Sequence, residues 1–433
     1  MGGDVMQIGT EITLVVEKPV AGGRMLARHE GRVVLVSGTI PGERVVARVE
    51  RVQSQFAQAA TIAVLEPHAA RREDNPDPAC GGMTYAHIAY DHQRHLKALV
   101  VADAFARQAR VALDPLPPVA ASPERGYRMR TRLHVRGGRI GSFREGSHDL
   151  CDIAVTGQVL PETVAVLRDL EAGLSQHGVE RLEAVEVMEN LDATQRVLHF
   201  DDGPARERLG RSLLDRLAAL PGVTGVSHAR GGRRAGAAAR VGDRLDAFTG
   251  PGTDAGDTLV GRQAQAFFQA NRFLTPPLVQ AVLARLEAGP VVDLYAGVGL
   301  FAMAAAAAGL GPVVAVEGDE VSATDLVANV APLAGRVTVV HAAVETFLAR
   351  RRDRPIRSLI VDPPRTGMSR EALAGVLSAG ARRLVYVSCD VATLARDARR
   401  LLDTGYDLAS IEAFDLFPNT PHVEVLAVFD RQV

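Results

Sequence analysis

The chain is poor in cysteine, with three in 433 residues, and has almost no charge imbalance: 49 lysines and arginines face 51 aspartates and glutamates, a formal net charge of -2. Three cysteines without pairing-type spacing argue against a disulfide-framed secreted scaffold and point to a reducing compartment. A near-neutral balance offers no global attraction for a polyanion, so any nucleic-acid contact must come from a locally basic face. Long hydrophobic runs are missing too. The longest, Leu300 to Val316, is rich in alanine and broken by Gly309, Gly311 and Pro312, so it reads as a core helix and strand rather than a membrane span. The opening MGGDVMQIGTEITLVV lacks the basic-then-apolar architecture of a secretory signal, and no internal repeat is evident. These absences predict a soluble, cytoplasmic protein with no membrane partner, long enough for two or three domains.

What is present falls into three textures. Residues 5 to 67 alternate apolar and polar positions between turn signals, as in EITLVVEKP, GRMLARHEGRVVLVSG, TIPGERVVARVERV and AQAATIAVLEP, which predicts a small antiparallel barrel or sheet. Arg24, Arg28, Arg32, Arg44, Arg48 and Arg51 punctuate those strands, either as a nucleic-acid platform or as an ordinary solvated face. The middle of the chain opens with the turn-rich RREDNPDPACGGM, then becomes helical in HQRHLKALVVADAFARQAR. It continues as strand, GG turn and strand in YRMRTRLHVRGGRIGSFREGSHDLCDI, and mixed patterns follow, with GGRRAGAAAR as an exposed loop. From residue 263 strands and helices alternate, and DLASIEAFDLF and HVEVLAVFDR close the chain. The alternation predicts an α/β fold with a doubly wound, mostly parallel sheet whose last strands form a hairpin.

The chemistry gathers at the predicted strand ends. In LVYVSCD, residues 384–390, an apolar run from Leu384 to Val387 reads as a strand, and Asp390 and Thr393 offer helix-capping chemistry before VATLARDARRLL. Cys389 therefore sits on the turn from a strand's carboxyl end into a helix, where open α/β sheets bind ligands and a helix amino terminus favours a thiolate. A small buried hydrophobe is the competing reading. DLYAGVG, from Asp293 to Gly299, follows a strand and precedes a helix, so Gly297 and Gly299 would let a ligand approach the sheet. Ala302 stands at the third glycine position of a dinucleotide fingerprint, which leaves a dinucleotide and S-adenosylmethionine both open. Glu317 ends the next strand, where a carboxylate accepts two hydrogen bonds from ribose hydroxyls. Asp362-Pro363-Pro364-Arg365 sets a carboxylate on a stiffened loop, either to hold a substrate base and a donor together or merely to end a strand. FFQANRFL offers Gln269 and Asn271 as amides that recognise donor or RNA. The basic YRMRTRLHVRGGR offers Arg128, Arg130 and Arg132 as RNA contacts, joined by Arg365.

In this order and spacing, DLYAGVG, VEGD, DPPR, VSCD, FFQAN and PHVEVLAVF resemble the RNA 5-methyluridine methyltransferase family that uses S-adenosylmethionine, and GTIPGERVVARV resembles the TRAM domain that many members carry. The likeness covers nearly the whole chain and most resembles the branch acting on 23S ribosomal RNA. It implies a TRAM-like RNA-binding barrel at 1–67, a central α+β RNA-binding domain at 68–262 whose helix near 91–110 packs on the catalytic part, and a Rossmann-like class I methyltransferase domain at 263–433. It implies that Cys389 adds to C6 of uracil, that Glu424 of PHVEVL removes the C5 proton after methyl transfer, and that Gln269, Tyr295, Gly297, Gly299, Glu317 and Asp362 hold the donor. The T-loop uridine of transfer RNA is an alternative target. A catalytically idle RNA-binding factor is another reading, but it would have lost Cys389 or Glu424. Leu300 stands where some relatives have a polar residue, and Ala343 where an acid or amide often contacts adenine. The ribosomal branch typically carries an iron–sulfur cluster on four cysteines, whereas here Asp74, Cys80 and Met83 occupy the three clustered places and Cys151 lies near the fourth. The resemblance therefore implies a monomer that binds RNA, without cluster or other metal, in which Cys80 and Cys151 are structural thiols.

Overall fold

The computed structural model describes residues 6–74, 77–179, 182–203, 209–229, 234–333, 335–351 and 355–432. Alternate residues of β1 (Glu11–Pro19) point inward, burying Ile12, Leu14 and Val16. β2 (Met25–His29), β3 (Arg32–Ser37), β4 (Arg44–Val52) and β5 (Phe56–Glu66) bury one face in the same way, and the five close into a barrel ordered β1-β2-β3-β5-β4, with β1 also pairing β4. Closure leaves no free sheet edge. Arg24, Arg28, Arg44 and Arg48 pair with Glu50, Glu17, Glu66 and Glu11 on the barrel surface. Such exposed pairs are worth little and do not withhold the arginines from a phosphate backbone. At the barrel rim the fully buried Glu43 accepts from Arg71 Nε and Nη2, both at 2.6 Å, from the Thr39 hydroxyl, and from the amides of Ile40 and His68.

Helix α1 (Tyr90–Ala104) follows, prolonged by a wider turn over Phe105–Ala109, then the short β6 (Val119–Ala120). β7 (Arg130–Arg136) and β8 (Arg139–Phe143) form the expected strand, turn and strand, with Gly137 and Gly138 at φ 56° and 75° between them. β9 (Leu150–Asp152), α2 (Ile153–Thr156), α3 (Pro161–Gln176), β10 (Ala184–Glu189), β11 (Arg196–Asp201), α4 (Arg211–Ala218), β12 (Gly225–His228) and β13 (Arg234–Gly236) complete a seven-stranded sheet ordered β13-β12-β11-β10-β7-β8-β9. Leu167, Leu170 and Leu174 of α3 and Leu213, Leu214 and Leu217 of α4 pack on the face presented by Leu133, Val187 and Phe200. The GGRRAGAAAR stretch, expected as a loop, contains edge strand β13; Gly231, Gly232 and Arg233 lie outside the described residues.

A two-stranded ribbon, β14 (Val241–Arg244) and β15 (Leu259–Arg262) joined through α5 (Asp246–Thr249), leads into the alternating part. That part comprises α6 (Thr275–Arg285), β16 (Val291–Leu294), α7 (Leu300–Ala307), β17 (Val313–Glu317), α8 (Glu320–Val330), β18 (Val337–His341), α9 (Val344–Arg350), β19 (Ser358–Val361), α10 (Arg370–Ala379), β20 (Arg383–Ser388), α11 (Val391–Leu402), β21 (Tyr406–Phe414) and β22 (Glu424–Arg431). The sheet order is β18-β17-β16-β19-β20-β22-β21-β6, parallel from β18 through β20, with β22 antiparallel to both its neighbours. Order reverses between β16 and β19, so the carboxyl ends of β16, β17, β19 and β20 surround a topological switch point. Val241, Leu245, Phe248 and Val260 of the ribbon share one core with α6 and α7, so hydrophobic packing runs across residue 262. Ala98, Val101 and Phe105 enter the core on the other side of the sheet, and β6 adds a strand beside β21.

Cys80 and Cys151, expected as separate thiols, are joined as a disulfide. Spacing hid the pair, since 71 residues separate the cysteines and only the fold brings the linker against β9. No helix among the described residues is long and apolar enough to cross a membrane.

Burial alone would raise the Glu43 carboxyl, but the Arg71 guanidinium and the two amides outweigh it and hold it below the ordinary value. Its stabilisation is therefore present above the unfolded carboxyl range and lost as pH falls through the lowered value. Arg71→Ala leaves that carboxylate buried without its cation and should cost about 3–5 kcal/mol in the unfolding transition that includes the barrel. Urea denaturation at neutral pH checks this, and a loss below roughly 1 kcal/mol, as for an exposed pair, would contradict it.

Candidate active site

β20 and β22 pair from Arg383 opposite Asp430 to Ser388 opposite Val425. Cys389 follows Ser388 off the end of β20, and Glu424, the first residue of β22, precedes Val425, so the two stand where the paired strands meet, near enough for the Glu424 charge to act on the thiol. The turn carrying the cysteine is fixed as its sequence predicts. Ser388 Oγ accepts from the Asp390 amide at 3.2 Å, and Asp390 Oδ1 caps α11 by accepting from the Thr393 amide at 2.8 Å. Asp362 leaves the end of β19, and Gln269 Nε2 donates to its Oδ2 at 3.2 Å.

These groups share a poorly solvated space. Burial pushes the Cys389 thiol up to about 12, with Glu424 and Asp362 adding to the shift and Arg365 opposing it. Burial also lifts Glu424 well above the carboxylate range, helped by Asp362 and again opposed by Arg365. Asp362 is pushed up to about 7 by burial, against the Gln269 hydrogen bond. A carboxyl placed like Asp362 can exchange a proton near neutral pH. Arg365, exposed at the tip of the DPPR loop, is the cation that acts on both Cys389 and Glu424.

On the other side of the switch point lies a cradle. Gly297 at φ 56° and Gly299 at φ 95° hold conformations that side chains resist, and a Cβ at 299 would come within 2.5 Å of Leu326 Cδ1. Tyr295 takes φ 61° without being glycine, a strain of the kind that gathers at functional sites. Glu317 accepts from the Gly297 and Asp319 amides, both at 2.7 Å, which aims its carboxylate across the turn. Asp293, absent from the residues singled out by sequence, is fully buried, and neither of its carboxyl oxygens has a hydrogen-bond partner. Burial raises it well above the carboxylate range, with Asp362 and Glu317 adding, while the nearby Ala302 amide opposes without completing a hydrogen bond. The available signal was a carboxylate inside the otherwise apolar strand VVDL.

Other expected residues have different partners. Asn271 recognises neither donor nor RNA: it is fully buried, accepts from the Phe273 and Leu274 amides, and donates to Ser122 Oγ and the Leu416 carbonyl, which uses its whole hydrogen-bonding capacity. Arg128 donates to Gln158 Oε1 at 2.6 Å and lies 5.5 Å from the Phe417 ring centroid. Arg130 donates to the Ala266 carbonyl at 3.1 Å and lies over Phe267. Arg132 donates to Glu183, Glu186 and Asp201 at 3.2, 3.0 and 2.8 Å. The basic stretch thus braces the central sheet and the FFQAN loop as well as carrying charge. Leu300 packs in the core, and Ala343 begins α9 beside Gly318. Asp74 and Met83 line a polar cleft of about 470 Å³ with Arg72, Glu124, Arg125 and Asn419. No group of three or more histidine, cysteine, aspartate or glutamate side chains among the described residues is placed to hold a metal.

The sheet order, the glycine turn and the strand-end carboxylates define a Rossmann-like catalytic unit of the class I methyltransferase kind. A profile of the tRNA (uracil-5-)-methyltransferase family matches residues 256–432, and a TRAM-domain profile matches 6–62. An uncharacterized RNA methyltransferase of Streptomyces coelicolor is 32% identical, the match covering 98% of this chain and 94% of that protein. The 23S rRNA (uracil(1939)-C(5))-methyltransferase RlmD of Pseudomonas entomophila is 31% identical over the same shares. The crystal structure of a Pyrococcus abyssi tRNA (uracil-54, C5)-methyltransferase, solved with S-adenosyl-L-homocysteine, superposes with a TM-score of 0.73 at 22% identity, covering 96% of this chain and 99% of that one. The chain belongs to the RNA uracil-C5 methyltransferase family and carries its TRAM domain.

Because Asp362 is charged above about pH 7 and its charge is one cause of the raised thiol, Asp362→Asn should lower the Cys389 pKa. The pH dependence of iodoacetamide alkylation of the ligand-free protein checks this. The wild-type rate should still be climbing above pH 9, and the variant's profile should shift to lower pH; an ordinary thiol profile in the wild type would contradict it.

Proposed function

We propose that this enzyme transfers a methyl group from S-adenosylmethionine to C5 of a uridine in RNA, with Cys389 as nucleophile and Glu424 as base, and that its target lies in 23S ribosomal RNA. The observation that carries the chemistry is that Cys389 and Glu424 stand at the meeting ends of the paired β20 and β22, where the charges of Glu424 and Asp362 both act on the thiol. RlmD relatives of nearly equal length support the ribosomal target. The residues of the cradle suit the donor: Glu317 is aimed to accept the ribose hydroxyls, Gly297 and Gly299 let it approach the sheet, and Tyr295, Gln269 and Asp362 complete the set assigned to it, Gln269 holding the Asp362 carboxylate. The donor brings an electrophilic methyl sulfonium.

C5 of uracil is a poor nucleophile until C6 is attacked. The Cys389 thiol gives up its proton to solvent and the thiolate adds to C6, which places the charge of an enolate on O4 and makes C5 nucleophilic toward the methyl. The C5 electron pair takes the methyl as its bond to the donor sulfur breaks, leaving S-adenosylhomocysteine, and C5 then holds both the methyl and its original hydrogen. Glu424 takes that proton, the C–H electron pair becomes the C5–C6 double bond, and the thiolate leaves C6. Arg365 offsets the charge that develops beside these groups. A paired or stacked uridine must first be flipped into the cleft. Phe267, 53% exposed and braced by Arg130, offers a stacking surface for a neighbouring base, while the barrel and central sheet hold flanking RNA. We assign the enzyme to the cytoplasm, acting as a monomer.

Mass spectrometry of 5-methyluridine in separately purified ribosomal and transfer RNA, from cells lacking the gene and complemented with wild type or Cys389→Ala, tests this assignment. The expected result is loss from one 23S fragment, restored by wild type alone. Loss confined to transfer RNA would overturn the target. No change in either pool would overturn the enzyme assignment in favour of an idle RNA binder.

A further inference from the structure

The loop Asp415–Val423 joins β21 to β22 and runs straight into Glu424. Asp415 follows Phe414, the residue that pairs with Glu424 across the hairpin. The anchors of this loop lie on α1, more than 300 residues earlier in the chain and outside the part matched by the catalytic family profile. Asp415, wholly buried, pairs with Lys97 Nζ, itself 1% exposed, and Lys97 Nζ also donates to the Phe417 carbonyl at 3.2 Å. One helical turn earlier the buried Gln93 donates from Nε2 to Asn419 Oδ1 and accepts from the Asn419 amide, both at 2.9 Å. Asn419 holds φ 64°, and its carbonyl accepts from the Tyr85 amide at 2.8 Å. Residues four apart on a helix share a face, so a single face of α1 grips the loop at two points.

A buried ion pair is a weak source of net stability, since both charges have left water, and its best-attested use is to select one arrangement over others. Here the arrangement selected is that of the segment delivering the base. We propose that Lys97 and Gln93 are positioning residues for the methyltransferase reaction: through Asp415 and Asn419 they fix the loop so that Glu424 meets the C5 proton while Cys389 is still bonded to C6. This rests on the assignment of Glu424 as the base. The step at stake is one proton transfer, in which the C5–H proton goes to the Glu424 carboxylate, its electron pair closes the C5–C6 double bond, and the Sγ–C6 pair leaves with the thiolate. Thiol addition and methyl transfer precede that step, so a displaced base should stall the enzyme as a methylated covalent adduct.

Full-length wild type is compared with Lys97→Met and with the double variant Lys97→Met/Asp415→Leu, whose apolar pair keeps the site filled without a stranded charge. Each is given S-adenosylmethionine with either a 23S ribosomal or a transfer RNA transcript. Steady-state kcat should fall roughly 10–100-fold while KM for the donor holds within about two-fold, as for a misplaced catalytic group. Single-turnover release of S-adenosylhomocysteine should persist, and the fraction of enzyme carrying an adduct that survives denaturing electrophoresis should rise above wild type. Wild-type turnover in the double variant would overturn the proposal. So would joint loss of methyl transfer and adduct, because a purely structural role predicts that pattern. If wild type itself releases no S-adenosylhomocysteine with either transcript, the assigned reaction fails first and the proposal falls with it.

Discussion

The site depends on one backbone constraint, the antiparallel ladder that wedges β22 between β20 and β21. A parallel seventh strand would deliver its amino end to the far edge of the sheet. Inserted antiparallel, β22 starts where β20 ends, so the first residue of the last strand and the turn that follows β20 come to the same end of the sheet. A slip of one residue would turn Glu424 to the opposite face of the sheet. The core secures the register, since Val425, Ala427 and Phe429 pack on one side while Leu426 faces the other.

That constraint concentrates acid groups where water is scarce. Asp293, Asp362 and Glu424 all have raised carboxyls; Asp362 adds to the difficulty of ionising Asp293, Glu424 and the thiol, and Glu424 adds to that of the thiol. The opposing influences are local. Arg365 acts on both thiol and base, and α11 begins two residues after Cys389 with its amides directed at the turn. The free protein therefore holds its nucleophile mostly protonated. On the proposed assignment a sulfonium bound beside Asp362 would bring charge of the right sign to such a site.

Much of this was legible in the sequence. Period-two alternation gave the barrel, strand and helix alternation gave the parallel sheet, and VSCD carried its own capping signal at Asp390. Local patterns did not show which long-range partners the side chains would find. Asn271 looked like a recognition amide because its type suits that role, yet its partners Ser122 and Leu416 lie far away in sequence. Arg132 looked free because Glu183, Glu186 and Asp201 reach it only once β7, β10 and β11 pair. Asp293 was passed over because strand patterns weigh hydrophobicity and not the cost of an unpaired buried carboxyl. β6 was too short to announce itself.

The central claim is that Cys389 bonds to a uracil carbon opposite Glu424. RNA carrying 5-fluorouridine tests it most directly, because fluorine at C5 cannot be removed as a proton and the adduct should persist. After incubation with S-adenosylmethionine and protease digestion, mass spectrometry of the trapped peptide should find a methylated fluorouridine nucleotide on Cys389. An adduct on another residue, or no adduct from an enzyme that methylates the unfluorinated RNA, would contradict the account.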